Sequence, residues 1–280
     1  MHVSYTFTEH NLTLPMTGRR KAIFVWAGMY ANLNVLAWIL IGFDLIPVQP
    51  TSDVIALVVI LPTLFLPFIA LLDNPGENRT RLQRGAEMVF LFFGMSVAIE
   101  CFWEISWVVL NFTGTIHGAT ADDHWLWLWW MYGRADTRYL TNDAASMAIE
   151  ICAASCGPIG LFGIYLLRSG RRIAGNWIAI LYLWAMTFAN LIFIAHVWYR
   201  GWEDIQGGWF GFWIVFIGWN LPWLIAPPFY VIPAAIRELK YLYELNLAKE
   251  MKAKGLDVVF EQIPAEPAEP MSAEPKRVTT

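Results

Sequence analysis

The sequence predicts an all-α, polytopic membrane bundle, and three observations carry that prediction. Six apolar runs along its 280 residues are each long enough to cross the hydrocarbon core of a bilayer, roughly 30 Å thick. Only 15% of the residues are charged and 57% are hydrophobic, where a soluble domain carries roughly 25% charged residues. The basic residues are also one-sided. Every Lys and Arg except Arg134, Arg138 and Arg200 falls on the side that holds both termini, which the positive-inside rule makes cytoplasmic.

Residues 1–18 read as a short polar surface segment, and Arg19, Arg20 and Lys21 anchor the first span, about 22–43. That run exceeds the roughly 7–15 apolar residues of a cleavable leader, so it reads as a true span. A turn with Asp44, Pro47 and Pro50 leads to the second span, about 53–72, which Pro62 and Pro67 should kink. The loop to residue 84 carries Arg79, Arg81 and Arg84, and the third span runs to 112. In the long connection 113–143, Trp125, Trp127, Trp129 and Trp130 read as interfacial anchors. The fourth span, 144–167, opens on an Asn142-Asp143 cap and is interrupted at Gly157-Pro158. The fifth and sixth spans follow at about 176–199 and 209–236. After them come a charged helical stretch and a Pro/Ala/Glu tail from Pro264 that reads as disordered.

The third span holds the chemistry. Glu100 and Glu104 are one helical turn apart, on one face of a membrane helix, with Trp103 and Trp107 flanking them. A carboxylate at the bilayer centre costs about 2.5–3.5 kcal/mol, so two of them need pairing, protonation or a reaction. Glu150, two turns into the antiparallel fourth span, lies at a matching depth, so the three acids can converge. Asn220 and Asn190 are amides within the sixth and fifth spans, suited to bonds across the bundle or to ordinary interhelical contacts. Trp219 and Trp223 lie in the sixth span, where indole faces suit a cation as well as packing.

Other chemistries find no support. Cys101, Cys152 and Cys156 all lie inside apolar runs and read as apolar filler. His117 and His124, with Asp122 and Asp123 between them, fit no metal-ligand spacing, so no metal is expected. There is no phosphate loop, nucleophile elbow or dinucleotide fingerprint, so no cofactor is expected, and no basic footprint for nucleic acid.

The stretch Tyr132-Gly-Arg-Ala-Asp136-Thr-Arg138-Tyr139, then Glu150 and Gly157-Pro158, resembles the emopamil-binding protein family. These are sterol Δ8-Δ7 isomerases of the EXPERA superfamily, which also includes the sigma-2 receptor. The family pattern runs tyrosine, Asp-Ser-Arg-Tyr, then a Met-Glu-Thr helix ending in Trp-Gly-Pro. The third span resembles its His-x-x-x-Glu helix and the sixth its Met-Asn-Ala-Leu-Trp helix. The resemblance covers about residues 53–236 and implies a five-span core with one extra N-terminal span. The chain then divides into an N-terminal segment 1–21, the extra span and turn 22–51, a five-helix domain 52–237, and a charged helix with its tail, 238–280.

Carried over by position, the resemblance makes Glu104 and Glu150 catalytic acids. Tyr132, Asp136, Arg138 and Tyr139 become loop residues needed for activity, and Asn220 and Trp223 pocket residues. Two positions depart from the pattern. Glu100 stands where the family has histidine, replacing a group that can be cationic with one that cannot, and Ala153 stands for a threonine. The expected activity is cofactor-independent isomerisation of a double bond in a sterol, steroid or related terpenoid, with Glu100, Glu104 and Glu150 handling the proton. Trp103, Trp107 and Asn190 join the substrate-binding set. Two alternatives stay open: a non-catalytic sterol or amine receptor of the sigma-2 type, and a proton-initiated terpenoid cyclase. The partners implied are a sterol-like or terpenoid lipid, membrane lipids and, as an option, a second copy in a homodimer. The membrane would be the endoplasmic reticulum in a eukaryote and the inner membrane in a bacterium.

Overall fold

A computed structural model describes residues 5–12, 17–74 and 77–262. In chain order it contains β1 (Tyr5–Glu9), α1 (Gly18–Gly42), α2 (Val48–Leu71), α3 (Arg81–Phe112), α4 (Trp127–Ala135), α5 (Ala144–Arg168), α6 (Arg172–Tyr199), α7 (Phe210–Ala253) and β2 (Val258–Gln262). Among these helices all but α4 are long and apolar enough to cross a bilayer, so the protein is an all-α polytopic bundle. The expected tail from Pro264 lies outside the described residues.

Local chemistry sets the helix starts. Thr80 and Gln83 form a reciprocal capping box at the head of α3. The Asp143 carboxylate accepts the Ser146 N–H at 2.8 Å and opens α5. The prolines of α2 change its winding instead of ending it: a wide π turn at Ala56–Ile60 precedes Pro62, and a tight 3₁₀ stretch, Leu66–Leu71, contains Pro67. The interruption expected at Gly157-Pro158 does not occur, since α5 runs unbroken through Pro158. Packing against α3 and α6 holds it there; a Cβ at Gly157 would meet the Cys101 Sγ at 3.1 Å.

Three further expectations are corrected. The N-terminal surface segment contains β1, which pairs in parallel with β2 just past the charged helix; Tyr5 lies opposite Val258, so residues 5–9 and 258–262 lie side by side. Two of the four tryptophans in the connection after α3 are not interfacial anchors. Trp127 and Trp129 on α4 are buried, and the Trp129 Nε1 donates to the Trp103 carbonyl at 3.2 Å. Arg20 is not a headgroup anchor. It is buried and ion-paired with Glu87 and, at 3.3 Å, with Glu77.

Candidate functional site

The site begins with one wide turn. Over Glu100–Glu104 the helix α3 is π-wound, and the Ile105 N–H reaches back five residues to the Glu100 carbonyl. Such turns are rare and recur at functional sites. Both carboxyls point into a cavity of ≈ 370 Å³, and Glu150 of α5 joins them on its wall. Glu100 and Glu150 are buried, and Glu104 is half-buried with its Oε2 enclosed. Glu104 and Glu150 lie within hydrogen-bonding reach of each other. The Tyr139 hydroxyl donates to Glu150 Oε1, while Glu100 Oε2 and Glu104 Oε2 have no partner among the described residues. Among the described residues none of the three acids is in an ion pair.

Rings enclose the acids. Trp103 stands edge-on to Tyr132 at 5.9 Å and to Trp219 at 5.8 Å, and Tyr132 meets Tyr139 at 4.5 Å. Burial, and after it the neighbouring Glu104 and Glu150, push the Tyr139 phenol well above its usual range, which keeps it a hydrogen-bond donor. On the far wall the Asn190 amide donates to Asn220 Oδ1 at 2.8 Å, and Asn220 Nδ2 donates to the Tyr132 hydroxyl at 2.9 Å. Asn190 Oδ1 and the Trp219 Nε1 have no partner among the described residues. Ala98 and Phe102 line the cavity and are also exposed on the outer face of α3, so the space opens sideways toward lipid.

Of the residues singled out from sequence, Glu100, Glu104, Glu150, Trp103, Tyr132, Tyr139, Asn190, Asn220 and Trp223 line the cavity. Trp107, Asp136 and Arg138 do not; they stand behind the wall. Arg138 is clamped by Asp136 at 2.6 Å and by the His196 ring at 2.8 Å, with its guanidinium 4.1 Å above Phe193. Trp107 donates to the Tyr139 carbonyl at 3.1 Å. These three fix the turn that presents Tyr139, so they act on the site through it. His196, near the end of α6, is thereby a partner of Arg138.

Sequence reasoning missed two sets of residues. Ser96 and Tyr182, 3.1 Å apart, hold Trp223, whose Nε1 donates to Ser96 at 3.0 Å. Asn34 of α1 and Thr63 of α2 also line the cavity. The available signal was an amide and a hydroxyl inside apolar runs, which alone does not say which helix face turns inward.

Comparison with known proteins gives a distant relative. The chain is 26% identical over 128 residues to a probable 3-beta-hydroxysteroid-Delta(8),Delta(7)-isomerase of Oryza sativa subsp. japonica. The match covers 45% of this chain and 56% of that protein, so it spans just over half of the relative's length. No family model matches, and no solved structure matches. This is an integral membrane protein with distant similarity to a protein of that name.

Proposed function

We propose that this chain is a cofactor-independent isomerase that moves a double bond in a sterol, steroid or related polycyclic terpenoid lipid. One observation carries the reading: three carboxyls with no cationic partner among the described residues face an apolar, ring-lined cavity that opens toward lipid. Its ≈ 370 Å³ falls in the range of small-molecule sites, roughly 300–1,000 Å³. The distant relative's name points the same way.

The chemistry needs one acid and one base. Two carboxyls that bond to each other hold a proton between them, because one oxygen must donate. That proton passes to an alkene carbon, and the π pair forms the new C–H bond. The adjacent carbon becomes cationic, faced by Trp103, Trp219 and Trp223, whose ring quadrupoles favour positive charge. A carboxylate then removes a proton from the next carbon, and that C–H pair becomes the shifted double bond. Glu104 and Glu150 are the proton-handling pair, and Glu100, one turn away, tunes or relays. Tyr139 holds Glu150 as an acceptor, with Asp136, Arg138 and Trp107 as positioning residues behind it.

On this reading the five-helix region 52–237 is the catalytic domain and the first span is an addition to it. Both termini face the cytoplasm, and the membrane is the endoplasmic reticulum in a eukaryote or the inner membrane in a bacterium. A second reading rests on the same unpaired acids, which with the rings around them would also hold a lipophilic ammonium, as a receptor would.

The test is turnover in heavy water. Purified protein in nanodiscs is incubated with Δ8 sterols and related polycyclic alkenes, and the products are read by NMR, since mass does not separate the isomers. Deuterium should enter the wild-type product and be lost with Glu104→Gln. If that variant still turns over, the acid role fails. If no deuterium enters any candidate while a lipophilic amine binds, the receptor reading replaces this one.

A further inference from the structure

Far from the cavity, at the end of the bundle beside the terminal strands, two arginines stand outside the pairing that surrounds them. Glu77 and Glu87 are taken by Arg20 and Arg79, and the buried Glu238 is taken by Arg172. Arg81, the first residue of α3, and Arg237 of α7 are both exposed. Neither guanidinium makes an ion pair or hydrogen bond with any described residue.

The helices nevertheless bring these two cations together. α3 and α7 cross at Gly85 and Ala234, where a Cβ on Gly85 would lie 3.2 Å from that of Ala234. The same point would lie 3.8 Å from Arg237 Nη2, so this guanidinium rests over the bare backbone of Gly85. Arg81 is one turn from Gly85 on the same face of α3. It is close enough to act on Arg237 as a like charge. Two like charges side by side oppose the fold until an anion comes between them.

Their position says which anion is at hand. Arg81 heads a membrane span, and Arg237 follows Ile236, where the apolar run of α7 ends. Lipid headgroups lie at that level, and basic pockets between spans take anionic ones. A guanidinium offers a planar fork of N–H donors that fits two phosphate oxygens at once, and here two forks come from two helices.

We infer that Arg81 and Arg237 form a binding site for the phosphate of an anionic phospholipid, which ties the head of α3 to α7. The site is separate from the cavity and does not depend on the proposed reaction. It does bear on the cavity walls, because α3 carries Glu100 and Glu104 while α7 carries Trp219 and Trp223.

The experiment uses the full chain with phosphatidylglycerol as the probe. Binding is read by native mass spectrometry from maltoside micelles, which hold no phosphate. Thermal midpoints are read in those micelles and in nanodiscs of phosphatidylcholine with or without phosphatidylglycerol. The wild type should retain phosphatidylglycerol and melt higher in the mixed discs. Arg81→Gln and Arg237→Gln should each weaken binding about fivefold, the worth of one basic residue at an anionic surface. The double variant should melt alike in both discs. In micelles each variant should be at least as stable as the wild type, because a repulsion is relieved. Changing Arg168 and Arg171, two exposed arginines between α5 and α6, to Gln should alter neither readout. Three results overturn the site: no retained phosphatidylglycerol, an equal loss with the Arg168 and Arg171 changes, or destabilisation of the Gln variants in micelles. Equal stabilisation by inorganic phosphate would assign the two arginines to the free anion and overturn the lipid as its source.

Discussion

Two clusters of charge are enclosed in this bundle, and they follow opposite rules. Where α1, α2 and α3 meet on the side of the terminal strands, Arg20, Arg79 and Arg84 face Asp73, Glu77 and Glu87. The arginines also take up freed backbone carbonyls: Arg20 donates to Leu72 at 2.9 Å and Arg79 to Ala70 at 3.0 Å. Charge is matched and the ends of three helices are tied. Deeper in the bundle, Glu100, Glu104 and Glu150 have no such partner among the described residues, and two of their oxygens bond none of them. The first cluster is explained by folding alone. The second costs stability, and the proposed reaction in the cavity would give it a purpose.

The same isosteric change should therefore act in opposite directions at the two places. Glu104→Gln is expected to lower turnover by about 10²–10⁴-fold, the usual contribution of a positioned acid or base. It should leave the thermal midpoint unchanged or raise it, because an uncompensated carboxyl is removed. Glu87→Gln should lower stability by about 1.5–3 kcal/mol, since it takes a buried carboxylate from Arg20 and Arg79 together and leaves them Glu77 and, for Arg79, Asp73. Denaturation in detergent, run beside the turnover assay, tests both. Loss of stability with Glu104→Gln would mean that the acids are packing elements after all.

Tyr139→Phe sharpens the contrast from the side of the neighbours. It removes the Tyr139 donor to Glu150 without opening space, and a hydrogen bond to a charged group is worth about 1.5–3 kcal/mol. Turnover should fall about ten- to a hundredfold, with little change in folding. A change in stability as large as that of Glu87→Gln would assign Tyr139 to the scaffold.

The bundle was legible because membrane spans are written in long apolar runs, and α1, α2, α3, α5, α6 and α7 all lie where those runs are. The convergence of Glu100, Glu104 and Glu150 was legible too, because antiparallel spans joined at one end place residues at comparable depths. What stayed hidden depends on contacts distant in sequence. Arg20 looks like any basic residue flanking a span until Glu87, 67 positions later, folds against it. Trp127 and Trp129 have the composition of interfacial anchors, and only the return of α4 into the bundle buries them. Asn34 was invisible because a single amide does not reveal which neighbour takes up its hydrogens. Pro158 misled because a rule from helices in water was applied where packing on both sides holds the helix.

Asp143 supplies the case between the two clusters, a carboxyl that is neither deeply enclosed nor unpartnered. It caps α5, the helix that carries Glu150, and pairs with the half-exposed Arg200 at 3.4 Å. Burial pushes its carboxyl up, but the Ser146 N–H, helped by nearby His196 and Arg138, more than offsets that and holds it below the usual range. A group lowered in the folded state adds stability above its unfolded pKa, about 4, and loses it as pH falls through the lower folded value. Asp143→Asn keeps the cap, since asparagine caps as well as aspartate, but cannot titrate. Its midpoint should fall less steeply than that of the wild type below about pH 4. Asp143→Ala removes the cap as well and should cost about 1 kcal/mol at neutral pH. If Asp143→Asn instead abolished turnover at neutral pH, the start of α5 would be part of the proton path, and the line drawn between supporting charge and working charge would have to move outward to include it.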